Sequence, residues 1–156
     1  LMLSRIENNQ FEEKQDVNLG EITKTVLKDV SDMVEFKNIT LNVSENGNFI
    51  THINSDLAYI LISNLFRNAI KYNTSAGTII VEIVDNQLNV KNTSFENKPL
   101  DKNLIFNRFY KLNQDNSSTG LGLSIVKTIV ENHSNFSIDY SFETNFHKFS
   151  VKTKNS

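Results

Sequence analysis

The sequence predicts an α+β domain, a two-layer sandwich in which a mixed sheet of about five strands packs against about three helices. Three observations carry that expectation. Residues 21–36 and 57–72 place apolar side chains at helical spacing. Residues 78–84 and 87–91 are β-rich runs joined by Asp85-Asn86, a hairpin pattern. A further helical stretch at 121–133 is followed by two β-rich closing runs at 136–142 and 146–151.

Taken in order, residues 1–13 read as the end of a helix, with Leu1, Leu3 and Ile6 apolar and charges after them. Val17 and Leu19 suit a short strand. Helix 21–36 presents Ile22, Val26, Val30, Met33 and Val34 on one stripe. Residues 39–43 alternate as a strand, Glu45-Asn46-Gly47-Asn48 forms a turn, and 49–53 is a second strand. Asn54-Ser55-Asp56 offers N-caps to helix 57–72. Residues 92–119 are irregular apart from a short helical stretch around 104–110. Helix 121–133 carries Ile125, Val126, Ile129 and Val130 as its apolar stripe. There is no internal repeat.

At 156 residues the chain has room for one ordinary domain, large enough to bury a core without staples. It is 38% hydrophobic and 22% charged, a globular balance. The lack of cysteine excludes a disulfide framework and a thiolate metal site, and is compatible with a reducing cytoplasm. A net charge of -2 gives no bias toward nucleic acid or an anionic membrane. No run of ~18 apolar residues spans a bilayer, and no signal peptide is evident. The start at Leu1, inside an apolar pattern, suggests a fragment of something longer. Asparagine occurs 23 times, so a single matching Asn is weak evidence of function.

Two segments carry chemistry. The first is Asn64-Leu65-Phe66-Arg67-Asn68-Ala69-Ile70-Lys71-Tyr72. At ~100° per residue, Asn64, Arg67, Asn68 and Lys71 fall within an arc of ~100° on an otherwise largely apolar helix. One reading is a solvated face. The other is an amide oxygen binding Mg²⁺, a hard ion that prefers oxygen ligands. Lys71 then meets phosphate as a point charge and Tyr72 lies against a base. The second segment is Thr119-Gly120-Leu121-Gly122-Leu123, which opens a helix. Helix N-termini offer free N–H groups and a positive dipole end to anions, and glycine lets the backbone approach phosphate. The alternative is a helix start that needs flexibility.

In this order and spacing the two segments resemble the catalytic ATP-binding domain of bacterial sensor histidine kinases. Asn64 to Tyr72 resembles the family's N box. Ile105-Phe106-Asn107-Arg108-Phe109-Tyr110-Lys111 resembles its F box, and Thr119 to Leu123 its second glycine box. Leu3-Ser4-Arg5-Ile6-Glu7 is similar to the end of the second dimerisation helix. The resemblance implies a Bergerat-type ATP-binding fold over residues 16–153. It also implies a dimerisation-helix end over 1–15 and a frayed tail at 154–156. It implies Asn68 as the Mg²⁺ ligand, with Asn64 assisting at the metal or its water. Lys71 would contact phosphate, Tyr72 the base, and Arg108 the charge in transfer. Residues 107–119 would form a lid, with Phe106 and Phe109 anchoring it. The ligands implied are ATP and Mg²⁺. The implied partners are the protein's own dimerisation domain and a response regulator. The full-length protein would be a homodimer anchored at the cytoplasmic membrane, with this piece a cytoplasmic, monomeric domain.

The chain departs from the family at the first glycine box, usually Asp-x-Gly-x-Gly. Here it reads Asn92-Thr93-Ser94-Phe95-Glu96. An Asn oxygen still accepts a hydrogen bond from an adenine amino group, but as a neutral acceptor. Ser118 stands where the second glycine box often begins with Gly. His52, His133 and His147 sit in no acceptor motif, so structural or surface roles are expected and the phosphoacceptor lies outside this chain. Three other readings are a gyrase-like or chaperone-like ATPase, a degenerate scaffold or phosphatase module, and a serine kinase of the anti-sigma type. The ATPase and the serine kinase usually carry a Glu where this chain has Asn64. The altered 92–96 stretch supports the scaffold.

Overall fold

A computed structural model describes residues 2–7, 11, 13–95, 97–107, 122–133 and 135–154. The elements run α1 (Met2–Glu7), β1 (Gln15–Asn18), α2 (Leu19–Asp29), α3 (Ser31–Phe36), β2 (Thr40–Asn46), β3 (Ile50–Ile53) and α4 (Ser55–Lys71). They continue with β4 (Thr78–Val84), β5 (Gln87–Asn92), α5 (Gly122–Glu131), β6 (Phe136–Glu143) and β7 (Phe146–Thr153). Five strands form a mixed sheet in the order β2-β4-β5-β7-β6. The β2–β4 pair is parallel and the other neighbours are antiparallel. The predicted α+β sandwich is therefore present.

Strand alternation sorts the sheet into two faces. Ile79, Val81 and Ile83 of β4, Leu88 and Val90 of β5, and Phe149 and Val151 of β7 are buried in the core. Glu82, Lys91 and Lys148 lie on the other face, with Glu82 paired to Lys91 at 3.2 Å. Helix α4 lies at the centre of the helical layer, packed against α2 and α5. It buries Ala58, Leu61, Ile62, Leu65, Phe66 and Ala69. Emptying a core position of the Phe66 kind costs ~3–5 kcal/mol.

Caps set the helix starts. Asn54 Oδ1 accepts from Asp56 N at 2.9 Å and Leu57 N at 3.0 Å, opening α4. Such a cap stabilises by ~1 kcal/mol. Asn18 Oδ1 does the same for α2, accepting from Gly20 N at 2.9 Å. Leu19 thus begins a helix rather than belonging to the strand expected around it.

Other expectations change for physical reasons. The helix expected over 21–36 is two helices, because Val30 leaves the helical region at φ -98° and ψ 4°. There the Ser31 hydroxyl donates to Lys28 O at 2.9 Å, a local bond that competes with the helical ladder. The strand expected over 49–53 does not join the main sheet. β3 pairs antiparallel with β1 in a separate two-stranded sheet, with Gln15 opposite Ile53. The helical stretch expected around 104–110 is a turn as far as it is described. It is held by Leu104 N to Asp101 O at 3.0 Å and Asn107 N to Leu104 O at 2.9 Å. The helix expected over 1–13 is described as helical only across Met2–Glu7; it packs on α5, with Leu3 and Ile6 buried.

Candidate functional site

Helix α4 carries three of the candidate residues in successive turns. Asn64 is half-buried, and its Nδ2 donates to Ile60 O at 2.7 Å. Its Oδ1 lies toward α5, where a Cβ built on Gly122 would stand 3.5 Å away. The fold therefore brings together two motifs that are distant in sequence. Asn68 follows one turn later, half-buried, and its carbonyl accepts from Tyr72 N at 3.2 Å.

The far end of α4 is tied down by a residue from elsewhere. Lys37 Nζ donates to Ile70 O at 2.8 Å, Lys71 O at 3.0 Å and Asn73 O at 3.4 Å. A cation at a helix C-terminus satisfies carbonyls and complements the dipole. Burial, and then the Lys71 charge, push the Lys37 ammonium below its ordinary value. Lys71 and Tyr72 end the helix half-buried, with Tyr72 as its C-cap.

Beyond Tyr72 the chain enters a sealed polar junction. Asn73 is 0% exposed; its Nδ2 donates to Thr78 O at 3.1 Å. Its Oδ1 accepts from Thr93 Oγ1 at 2.7 Å. Thr93 Oγ1 in turn accepts from Thr78 N at 2.9 Å. Gly77 closes against this junction, where a Cβ would lie 2.0 Å from Asn73 Oδ1 and 2.6 Å from Thr93 Oγ1. No side chain fits there without displacing buried polar atoms.

Asn92, the last residue of β5, sits beside the junction and is 2% exposed. Its Nδ2 donates to Thr93 O at 2.9 Å. Its Oδ1 is buried and has no hydrogen-bond partner. A buried acceptor without a donor costs ~1–3 kcal/mol, so such an atom in a folded protein calls for an explanation. Because the amide's N–H side is engaged by Thr93, the free side is an acceptor, complementary to an amino group on a base. Among the described residues no three His, Cys, Asp or Glu side chains converge. A cation held here would draw on amide oxygens, phosphate and water.

The structure thus places Asn64 beside Gly122, and Asn92 next to the junction at the end of α4 that follows Lys71 and Tyr72. Leu123 is half-buried on the first turn of α5. Arg108, Thr119, Gly120 and Leu121 lie outside the described residues, as does Phe109. Phe106 is half-buried and edge-on to Phe149 at 6.2 Å. His52 is exposed, 3.1 Å from Asp16. His133 is buried, with Nδ1 2.8 Å from Ile129 O, and His147 is buried within β7. The sequence reading missed Lys37, Asn73, Gly77 and Thr93. Asn73 directly follows Tyr72, but the abundance of asparagine masked it.

The profile of the histidine kinase-, DNA gyrase B- and HSP90-like ATPases matches residues 53–154. The chain is 31% identical over 141 residues to the heme sensor protein HssS of Staphylococcus aureus, covering 85% of this chain and 30% of HssS. It therefore spans about a third of the length of that relative. The nucleotide-free catalytic domain of histidine kinase ThkA superposes with a TM-score of 0.76 at 22% identity, covering 90% of this chain and 97% of that one. ThkA in complex with the response regulator protein TrrA superposes at 0.74 and 20% identity, covering 97% of this chain and 46% of that one. The chain belongs to the histidine kinase-, DNA gyrase B- and HSP90-like ATPase family, and it shares its fold with histidine kinase catalytic domains.

Proposed function

We propose that this domain binds Mg-ATP between α4, the end of β5 and the start of α5, and donates the γ-phosphoryl group to a histidine outside this chain. The acceptor would lie on the protein's own dimerisation helices, and an aspartate of a response regulator would receive the group next. The single observation that carries the reading is the buried, unpartnered Asn92 Oδ1 beside the junction that ends α4.

The described residues would take roles in keeping with their positions. Asn92 accepts from the adenine amino group, with its orientation held by Thr93 O. Tyr72, at the helix end, lies along the base. Lys71 meets phosphate, and its backbone is anchored by Lys37. Asn68 offers its amide oxygen to Mg²⁺ from the last turn of α4, with Asn64 one turn before it. Bound Mg²⁺ would offset the charge on the triphosphate oxygens. Gly122 and Leu123 lie at the positive end of α5, which favours the same charge. By the resemblance, Thr119, Gly120 and Leu121 would also meet phosphate, and Arg108 would steady the charge during in-line transfer. An amide at position 64 cannot take a proton from water, and its Nδ2 is engaged by Ile60, so water is not the favoured acceptor.

In the longer protein the domain would act within a homodimer at the cytoplasmic membrane. Among the described residues no helix is long and apolar enough to cross one. Calorimetric titration with ADP and a non-hydrolysable ATP analogue, with and without Mg²⁺, tests the reading. The expected result is Mg²⁺-dependent binding that weakens in Asn68→Ala. A folded protein that binds neither nucleotide would overturn it and favour a scaffold or phosphatase module.

A further inference from the structure

The first glycine box has lost its glycines, and the structure shows a side-chain device in their place. Ser94 stands at the position of the first missing glycine. Its Oγ lies 2.9 Å from His147 Nε2. The other ring nitrogen, Nδ1, lies 2.7 Å from Tyr140 Oη. Tyr140 Oη also accepts the Leu100 backbone N–H at 2.9 Å. His147 therefore uses both ring nitrogens to link strand β6 to the segment that leaves β5.

The device is buried and sits beside Asn92. His147 is 2% exposed and stacks on Tyr140 at 5.9 Å and 23°. Phe142 covers it, with ring centroids 5.0 Å apart. In the β5–β7 ladder His147 is the direct cross-strand partner of Asn92. Directly opposite residues project to the same face of a sheet. The imidazole thus stands next to the amide whose Oδ1 lacks a partner. A glycine box lets backbone approach a ligand through its flexibility. Here the backbone after Asn92 is instead held by a buried polar chain, and buried networks of this kind rigidify what they join.

We propose that Ser94, His147 and Tyr140 are positioning residues of the nucleotide pocket, pinning Ser94 and Leu100 so that the Asn92 amide oxygen meets the base. The proposal rests on the nucleotide reading above. It assigns the network to base recognition and not to phosphate binding.

The test titrates the chain and its Ser94→Ala, His147→Phe, His147→Gln and Tyr140→Phe variants with Mg-ADP and with Mg-tripolyphosphate, which has no base. Loss of a hydrogen bond in the chain should weaken ADP binding about fivefold to tenfold while leaving tripolyphosphate binding unchanged. His147→Gln keeps a polar group near the Nε2 position and should recover part of the loss. Equal weakening toward both ligands would mean a merely structural role and would overturn the proposal, as would unaltered ADP binding. Amide hydrogen exchange on the free protein separates this proposal from the reading it rests on. Tyr140→Phe should speed exchange at Leu100 by about tenfold whether or not nucleotide binds. If the parent chain binds no ADP, the nucleotide reading fails and the base-recognition role fails with it. Unchanged exchange at Leu100 alongside normal ADP binding by the parent chain would remove the pinning role alone.

Discussion

The two ends of the nucleotide site proposed above, a base end and a phosphate end, are built by different means. At the base end, Asn73, Thr78 and Thr93 satisfy one another, Gly77 closes against them, and one acceptor on Asn92 is left over. At the phosphate end, Asn64 and Asn68 are half-buried on a helix face, and a methyl group built on Gly122 would meet Asn64 at ordinary contact distance. The base end is part of the hydrogen-bonded fabric of the fold, so its geometry is inseparable from stability. The phosphate end depends on how closely α5 approaches α4.

The largest expected effect breaks the base end. Gly77→Ala places a methyl group 2.0 Å from Asn73 Oδ1. Overpacking of this severity should lower stability by ~3 kcal/mol, read as a shift of the urea midpoint. Gly122→Ala, whose methyl would meet Asn64 Oδ1 at 3.5 Å, should change stability by less than ~1 kcal/mol. Similar losses at the two glycines would erase the distinction between the ends.

The next effect is confined to the phosphate end. Asn68→Ala should reduce Mg²⁺-dependent affinity for an ATP analogue by more than about tenfold. Its urea midpoint should stay within ~0.5 kcal/mol of the parent. A large stability change without loss of affinity would make Asn68 a structural residue.

Asn92→Asp sharpens the comparison in the other direction. A carboxylate makes the hydrogen bond to a base amino group charge-assisted, so ADP should bind about fivefold more tightly. The same buried charge should lower the melting temperature of the free protein. Opposite signs in calorimetry and melting are the expected outcome, and tighter binding with unchanged melting would show that the residue is not sealed.

Smaller effects come from supports outside the site. Lys37→Met removes three hydrogen bonds at the end of α4 and should cost ~1 kcal/mol in urea denaturation. The smallest concerns Tyr59, whose hydroxyl donates to Asp29. That bond first, then burial and the Asp29 charge, hold Tyr59 above its ordinary value of 10.0, with Arg67 opposing. Because the folded value lies above the unfolded one, the linked stability is fully present below about pH 10 and fades as pH rises through the folded value. Spectrophotometric titration should show one tyrosine ionising at a lower pH in Asp29→Asn than in the parent.

How much was legible follows the reach of the forces involved. The helix bearing Asn64, Asn68 and Lys71, its Asn54 cap, the Asp85-Asn86 hairpin and the two closing strands could all be read along the chain. They rest on periodicity, caps and turn residues, which act over a few neighbouring positions. The break at Val30 was not legible, since it lies inside an unbroken apolar stripe and turns on the local Ser31 bond. Nor was the departure of β3 from the main sheet, because strand pairing is a choice of partner and β1 lies more than thirty residues earlier.

The sequence by itself determined the fold class, the N-box helix, and the replacement of Asp by Asn at position 92. Only the tertiary structure decided which polar atoms are satisfied. Asn73 became a buried bridge, Gly77 an obligatory gap, His147 a two-sided link and Asn92 Oδ1 an acceptor without a donor. The physical reason is that a buried polar group must find its partner in space: Thr93 reaches Asn73 across 20 residues of chain and Ser94 reaches His147 across 53.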